Sequence, residues 1–255
     1  TVSDFNNCVI NESIAIAQAS DVVITFSGTP VNCFGGNDGS LTAQIASGGS
    51  APFQFQWDAA ANNQNTATAI GLISGTYMVT ITDGNGCTFS NSASVSEPLT
   101  PLSLVMDSTY ITCAGYSDGT ATAIVSGGTL GYTYLWNDPL SQTTAQAIDL
   151  SSNSYQVTVT DGNGCVVTGS VIIEEPTPVV VVLTPDSANC WGDASGSVNV
   201  FAAGGSGVGY SYSIDGGETF QSSPDFVGLP AGIYNEIVIQ DLGSNVSCLS
   251  QSYGI

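Results

Sequence analysis

Apolar and hydroxyl-bearing residues alternate along much of the chain. In Met78-Val-Thr-Ile-Thr82 and Val157-Thr-Val-Thr160 every second position is apolar, the period of a strand with one face buried. Asp-Gly-Asn-Gly follows both, at 83–86 and 161–164, and supplies residues that accept positive φ in a tight hairpin turn. Turn signals return every ten or so residues, and no segment keeps a helical apolar period over three turns. Helical propensity peaks over Ser13 to Ala19, but its place in the pattern matches Ser90 to Ser96, which alternates, so a strand is expected there. Val179 to Leu183 reads as a buried strand and is far shorter than the roughly 18 apolar residues of a membrane helix. The expectation is an all-β chain.

The pattern also repeats, the sign of a tandem array. Val31-Asn-Cys33-Phe-Gly-Gly-Asn-Asp38-Gly-Ser returns as Ile111-Thr-Cys113-Ala-Gly-Tyr-Ser-Asp118-Gly-Thr and, more weakly, as Ala188-Asn-Cys190-Trp-Gly-Asp-Ala-Ser195-Gly-Ser. Each copy then carries a Gly-Gly turn (Gly48, Gly127, Gly204) and an aromatic strand (Phe53 to Trp57, Tyr132 to Trp136, Tyr210 to Ile214). A tyrosine strand ends each copy at a second cysteine: Tyr77 to Cys87, Tyr155 to Cys165, Tyr234 to Cys248. Thr1-Val-Ser-Asp4-Phe-Asn-Asn-Cys8 overlays Thr158 to Cys165. The expected organisation is therefore residues 1–20 as the last strands of a preceding repeat, then repeats at 21–98, 99–176 and 177–255. Trp57 and Trp136 sit mid-strand like the buried tryptophan of an immunoglobulin-type sandwich, and Tyr77, Tyr155 and Tyr234 resemble its tyrosine corner. Tandem immunoglobulin-like β-sandwiches of seven or so strands, joined into an elongated rod by Pro-containing linkers (98–101 and 176–178), are the expected architecture.

A copy of nearly eighty residues has a small core, which gives the seven cysteines a stabilising role. Pairing within copies would join Cys33 to Cys87, Cys113 to Cys165 and Cys190 to Cys248, closing loops of 52 to 58 residues. In the chain-entropy model each is worth about 4 kcal/mol. Pairing across boundaries, Cys8–Cys33, Cys87–Cys113 and Cys165–Cys190, has the more regular spacings of 25, 26 and 25. The first pattern is favoured because a module with its own staple can fold alone, and it leaves Cys8 unpaired by truncation of the preceding copy.

Composition narrows the function. The chain has 21 acidic side chains and no lysine, arginine or histidine. It lacks an imidazole base and the commonest nitrogen ligand for zinc. It also lacks a Schiff-base amine and a cation for phosphate or nucleic-acid backbone, and its formal charge of −21 repels nucleic acid and anionic lipid. Neither nucleic acid nor direct membrane insertion is expected, and no cofactor is implied. Hydrophobic residues at 42% with charged residues at only 8% exclude a disordered polyanion. The cysteines suit an oxidising compartment.

The ordered set Cys-x-Gly-x-x-Asp-Gly-Ser/Thr, Gly-Gly, an aromatic strand with Trp, Gly-x-Tyr-x-Val-Thr-Val-Thr-Asp-Gly-Asn-Gly-Cys and a closing Glu-Pro (Glu97-Pro98, Glu175-Pro176) resembles the SprB-type repeat of long cell-surface adhesins of gliding and biofilm-forming Bacteroidota. The likeness runs over essentially the whole chain. Copy three departs most: Ser195 stands in place of Asp, Ile214 in place of Trp, and the turn before Cys248 is longer. The resemblance implies a secreted surface filament exported by the type IX route, with other copies of the repeat as its nearest partners and surface polysaccharide or neighbouring filaments as further ones.

Candidate sites are few. Asp38 and Asp118 follow the first cysteines, and Asp83 and Asp161 precede the second. With disulfides inside each copy, both acidic loops would approach one end of the sandwich, where carboxylates and carbonyls could hold Ca²⁺; the simpler reading is that these acids cap their own turns. Glu174 and Glu175 are adjacent and face opposite ways on a strand, so they cannot flank one bond, and Glu218 and Glu236 occur in one copy alone. No enzyme is expected. Asp107-Ser108-Thr and Asp186-Ser187-Ala resemble the O-glycan sequon of Bacteroidota, marking Ser108 and Ser187 as possible acceptors. Tyr116, Trp191 and Tyr253 stand outside the repeat pattern as candidates for stacking on sugar, the alternative function, although a cysteine-proximal aromatic such as Phe34 or Trp191 more often shields the disulfide.

Overall fold

The computed structural model describes residues 1–14, 21–190, 192–234, 236–243 and 248–249. They divide into two compact units, residues 1–101 with 163–165 and residues 102–162 with 166–255. Among the described residues there is no α-helix; a single 3₁₀ turn spans Ala59–Ala61. The strand expected over Ser13 to Ala19 falls almost wholly outside them.

The first unit opens with a short hairpin of β1 (Val2–Ser3) and β2 (Val9–Ile10). Six strands follow: β3 (Val23–Thr29), β4 (Gly39–Ser47), β5 (Gln54–Trp57), β6 (Thr68–Leu72), β7 (Gly75–Thr82) and β8 (Thr88–Val95). They form two antiparallel sheets, ordered β3-β4-β6 and β5-β7-β8. Lettered in chain order, these are the A-B-E and C-F-G sheets of an immunoglobulin-type sandwich without strand D. The strand count is thus six, where the turn spacing suggested seven or so. Asp58 caps the 3₁₀ turn where D would run, and Asn62 and Asn63 adopt left-handed φ of 55° and 52°, which ends any extended segment there.

The second unit builds the same pair of sheets twice. Its first six strands are β9 (Ser103–Thr109), β10 (Gly119–Ser126), β11 (Thr133–Trp136), β12 (Gln146–Leu150), β13 (Asn153–Thr160) and β14 (Val166–Ile173). Then come β15 (Thr177–Asp186), β16 (Gly196–Gly205), β17 (Tyr210–Ser213), β18 (Asp225–Leu229), β19 (Val238–Asp241) and β20 (Cys248–Leu249). Sheet orders are β9-β10-β12 with β11-β13-β14, and β15-β16-β18 with β17-β19-β20.

Alternation places each core. Leu41 and Ala43 of β4 with Ala69 and Leu72 of β6 are buried, as are Tyr77, Val79 and Ile81 of β7 and Trp57 of β5. Ala121, Ala123, Ala147, Leu150, Tyr155, Val157, Val159 and Trp136 repeat the arrangement. Among the described residues the third core is centred on Val198, Val200, Ala202, Ile237 and Ile239, with Ile214 only half-buried at the tryptophan position. Both buried indoles find an acceptor, Trp57 Nε1 donating to Thr66 O and Trp136 Nε1 to Thr144 O, each at 2.9 Å. The tyrosine hydroxyls reach back four residues, Tyr77 to Ile73 O (2.8 Å), Tyr155 to Ser151 O (3.1 Å) and Tyr234 to Pro230 O (3.0 Å), the hydrogen bond that defines a tyrosine corner.

The Gly of the Asp-Gly motif is required by packing, not by turn geometry. A Cβ on Gly39 would lie 2.6 Å from Val95 Cγ1 and 2.9 Å from Leu72 O; on Gly119 it would lie 2.5 Å from Ile173 Cγ2. The motif therefore marks where the two sheets close at one end of the sandwich. Trp57→Ala removes the largest fully buried side chain of the first core and is expected to destabilise it by about 3–5 kcal/mol, read as a shift of the urea midpoint; a loss under about 1 kcal/mol would show that the indole is not the core's keystone.

Candidate functional site: the cysteine turns

The first cysteine of each copy sits in a loop held by side-chain oxygens. Asp38 accepts from Asn32 N (3.1 Å) and Asn32 Nδ2 (2.6 Å), and Asp118 accepts from Thr112 N (3.1 Å) and from the Thr112 hydroxyl. Where copy three carries Ser195, its hydroxyl accepts from Asn189 N at 2.9 Å. Inside the loop Gly36 N donates to Cys33 O, Tyr116 N to Cys113 O and Asp193 N to Cys190 O. The glutamate of Glu-Pro reaches back to the same loop: Glu97 accepts from Gly35 N (2.6 Å) and Ser74 Oγ (2.5 Å), and Glu175 from Gly115 N (2.7 Å). The closing Glu-Pro is thus a cap as well as a terminator, and the available signal was its recurrence ten residues after the second cysteine in copies one and two.

The second cysteine ends a turn organised by one aspartate. Asp83 accepts from Asn85 N, Cys87 N and, across to the Gly-Gly turn, Ser50 N, at 2.9–3.1 Å. Asp161 accepts from Thr129 N at 2.9 Å, and Asp241 from Ser206 N (2.6 Å), Ser206 Oγ (2.5 Å) and Gly243 N (3.2 Å). All three aspartates are buried. A Cβ on Gly128 (φ +61°) would sit 2.5 Å from Asp161 Oδ2, and one on Gly205 (φ +60°) 2.2 Å from Asp241 Oδ2, so the Gly-Gly turn leaves the carboxylate its space.

These two turns lie at opposite ends of a copy, and that overturns the pairing within copies. Val31 N donates to Ser96 O and Ile111 N to Glu174 O, which ties the first-cysteine loop to the far end of β8 or β14. Cys87 and Cys165 immediately precede those eight-residue strands, some 26 Å away along the strand. A disulfide needs its Cα atoms within about 7 Å. The bonds formed are Cys33–Cys165, with Cα atoms 5.7 Å apart, and Cys113–Cys248, at 5.5 Å. Cys87 and Cys190, expected in disulfides, are free and exposed, as is Cys8. The boundary-crossing alternative is absent too: Cys113 is taken by Cys248. Each bond joins the first cysteine of one copy to the second cysteine of the next.

The same geometry removes the shared cation site. Asp38 and Asp83 are at opposite ends of one sandwich and are engaged with N–H donors, as the turn-capping reading requires; among the described residues no three acidic or cysteine side chains gather as a metal-ligand set. Glu174 accepts through its main-chain carbonyl while Glu175 caps Gly115, and the Glu236 carbonyl accepts from Gly216 N at 2.9 Å. Ser108 is half-buried within β9; Ser187 is exposed just beyond β15. Phe34 and Tyr116 are each 49% exposed in first-cysteine loops, and Trp191 and Tyr253 lie outside the described residues. A third family of caps escaped the sequence: Asp58, Asp138 and Asp215, each just past the aromatic strand, accept from Met78 N, Gln142 N and Thr219 N.

For six of these carboxylates the donors favour the ionised form. The Cys87 N–H first, with those of Ser50, Asn85 and Gly86, lowers Asp83 against an opposing burial penalty. The Ser74 hydroxyl and Gly35 N–H lower Glu97, and the Thr112 hydroxyl lowers Asp118. Burial is the largest influence on Asp138 and Asp241 and opposes their ionisation, but the donors together, Gln142 with Leu140 and Ser206 with Gly243, outweigh it and lower both. The Ser213 and Thr219 hydroxyls bring Asp215 down to about 2. A depressed carboxylate stabilises the fold above its unfolded value, 3.8 for Asp and 4.5 for Glu, and that stability is lost as pH falls through the folded value. Urea midpoints are therefore expected to hold steady from pH 7 to about 5 and to fall progressively below about 4; a midpoint that rises on acidification would contradict the capping.

The SprB repeat model matches residues 25–62 and 107–141, the first halves of copies one and two. No curated protein matches the chain. Among solved structures, a C-terminal 282-residue intimin fragment in complex with the translocated intimin receptor's intimin-binding domain is 15% identical over 65% of this chain and 67% of that one, with a TM-score of 0.35. A Dscam structure is 11% identical over 93% and 73%, and murine CEACAM1b 13% identical over 60% and 100%, both with TM-scores of 0.25. First-cysteine loop and family model coincide at the same residues, and over these two stretches the chain is similar to the SprB repeat.

Proposed function

We propose that the chain is a stretch of the repeat region of a long extracellular cell-surface adhesin or filament, serving as a disulfide-stapled stalk in surface adhesion or gliding. The observation that supports this is the pair of disulfides spanning successive copies, bonds that persist in oxidising surroundings. They suit a load-bearing role. Under tension the covalent path can pass from Cys33 to Cys165, back to Cys113 and across to Cys248, so most of the chain is bypassed.

A non-catalytic role fits the fate of the acids, since the repeat-motif carboxylates are spent on capping. The anionic, hydroxyl-rich surface suits a hydrated exterior and keeps neighbouring filaments apart. Freedom from Lys and Arg leaves trypsin-like proteases no site. Export by the type IX route, contact with surface polysaccharide and O-glycan attachment at Ser187 or Ser108 belong to the same reading.

Pulling the oxidised chain from its ends is expected to extend it to about 320 Å, against about 890 Å after reduction, at roughly 3.5 Å per residue; equal lengths in both states would remove the mechanical argument. Antibody raised against the chain is expected to label intact source cells, and labelling only after permeabilisation would contradict a surface location.

A further inference from the structure

Two bonds and three free thiols follow a single rule. In the two bonds a first-loop cysteine (33 or 113) meets the second-turn cysteine of the copy that follows (165 or 248). The surroundings repeat as well: Cys165 Sγ lies 3.5 Å from Asn32 O and Cys248 Sγ 3.1 Å from Thr112 O, the carbonyl just before the first cysteine each time. The free cysteines sit in the same two settings. Cys190 has the first-loop backbone, with Asp193 N donating to Cys190 O and Ser195 in the capping position. Cys87 and Cys8 have the second-turn backbone: their N–H groups donate to Asp83 and Asp4, both at 2.9 Å, and Asp83 N and Asp4 N donate back to Cys87 O and Cys8 O. All three are exposed.

We propose that Cys190 and Cys87 are open ends of an inter-copy disulfide ladder: Cys190 is a docking and bonding site for the second-turn cysteine of a further copy of this repeat, and Cys87 for a first-loop cysteine. The recognised partner is a second-turn cysteine, whose sulfur comes to rest by the carbonyl of Asn189. The rule is directional, so like never bonds like. It rests on the observed pairing and stands independently of the stalk reading.

The bond forms by exchange with a low-molecular-weight disulfide such as oxidised glutathione. The Cys190 thiolate attacks one glutathione sulfur and expels glutathione thiolate; the incoming second-turn thiolate then attacks the Cys190 sulfur and expels the other. Two cysteine thiols are oxidised, one glutathione disulfide is reduced, and the two protons end on glutathione.

The chain itself carries both kinds of free end, which makes the test direct. Incubated in a glutathione redox buffer, the purified chain with its two internal disulfides intact is expected to form a ladder of dimers and higher species on non-reducing gels that collapses with dithiothreitol. Peptic mapping (trypsin has no site) is expected to find Cys190 joined to Cys87 or Cys8 of another molecule. Cys190→Ser should abolish the ladder; Cys87→Ser combined with Cys8→Ser should do the same. In a head-to-tail fusion of two such chains Cys190 of the first chain is expected to bond Cys87 of the second within one molecule, because a tethered partner outcompetes a free one, while the outer Cys87 and Cys190 still build the ladder. Cys190–Cys190 or Cys87–Cys87 links in place of the mixed ones, or a chain that stays monomeric with both thiols capped by glutathione, would overturn the proposal.

Discussion

In a protein without a single cationic side chain, a carboxylate can be held only by N–H and O–H groups, and the rest of this structure follows from that restriction. Leaving a charge buried without donors is costly, so Asp83, Asp161 and Asp241 draw in the backbone of the Gly-Gly turn, and Asp83 that of the cysteine turn as well. Asp38, Asp118, Glu97 and Glu175 do the same for the first-cysteine loop. The carboxylates thereby serve as structural clamps on the two loops that carry sulfur, one at each end of a sandwich.

From the clamps follows the staple. A loop held by Val31 and Glu97 at one end of β8 cannot meet a turn held by Asp83 at the other, so a copy cannot bond itself and each bond instead reaches into the next copy. The bonds close loops of 132 and 135 residues, worth about 5 kcal/mol each in the chain-entropy model, more than shorter loops within copies would give. Because the two loops overlap between residues 113 and 165, adjacent copies share their stabilisation. That matters most for the third sandwich, where Ile214 stands at the position of the buried tryptophans.

Much of the fold was legible in the sequence because its signals are local. Period-two alternation in β7 and β13, Gly-Gly before the aromatic strand, and Tyr77 four residues past the Ile73 carbonyl it binds are short-range facts. The missing strand D was less legible, since Asp58 and the left-handed Asn62 and Asn63 show their effect only as dihedral angles. The disulfides were not legible by spacing. Counting residues between cysteines says how long a loop is, not which end of a sandwich its cysteines occupy. One clue lay in plain view: the eight strand residues after Cys87 end at Val95, two residues before the Glu97 that caps the Cys33 loop.

Disulfide mapping of the native chain bears on all of this at once. Peptic digestion without reduction, followed by mass spectrometry, is expected to yield cross-linked peptides containing Cys33 with Cys165 and Cys113 with Cys248. Peptides joining Cys33 to Cys87 and Cys113 to Cys165 would mean that the capped turns do not stand at opposite ends of each sandwich, and the account would fail with them.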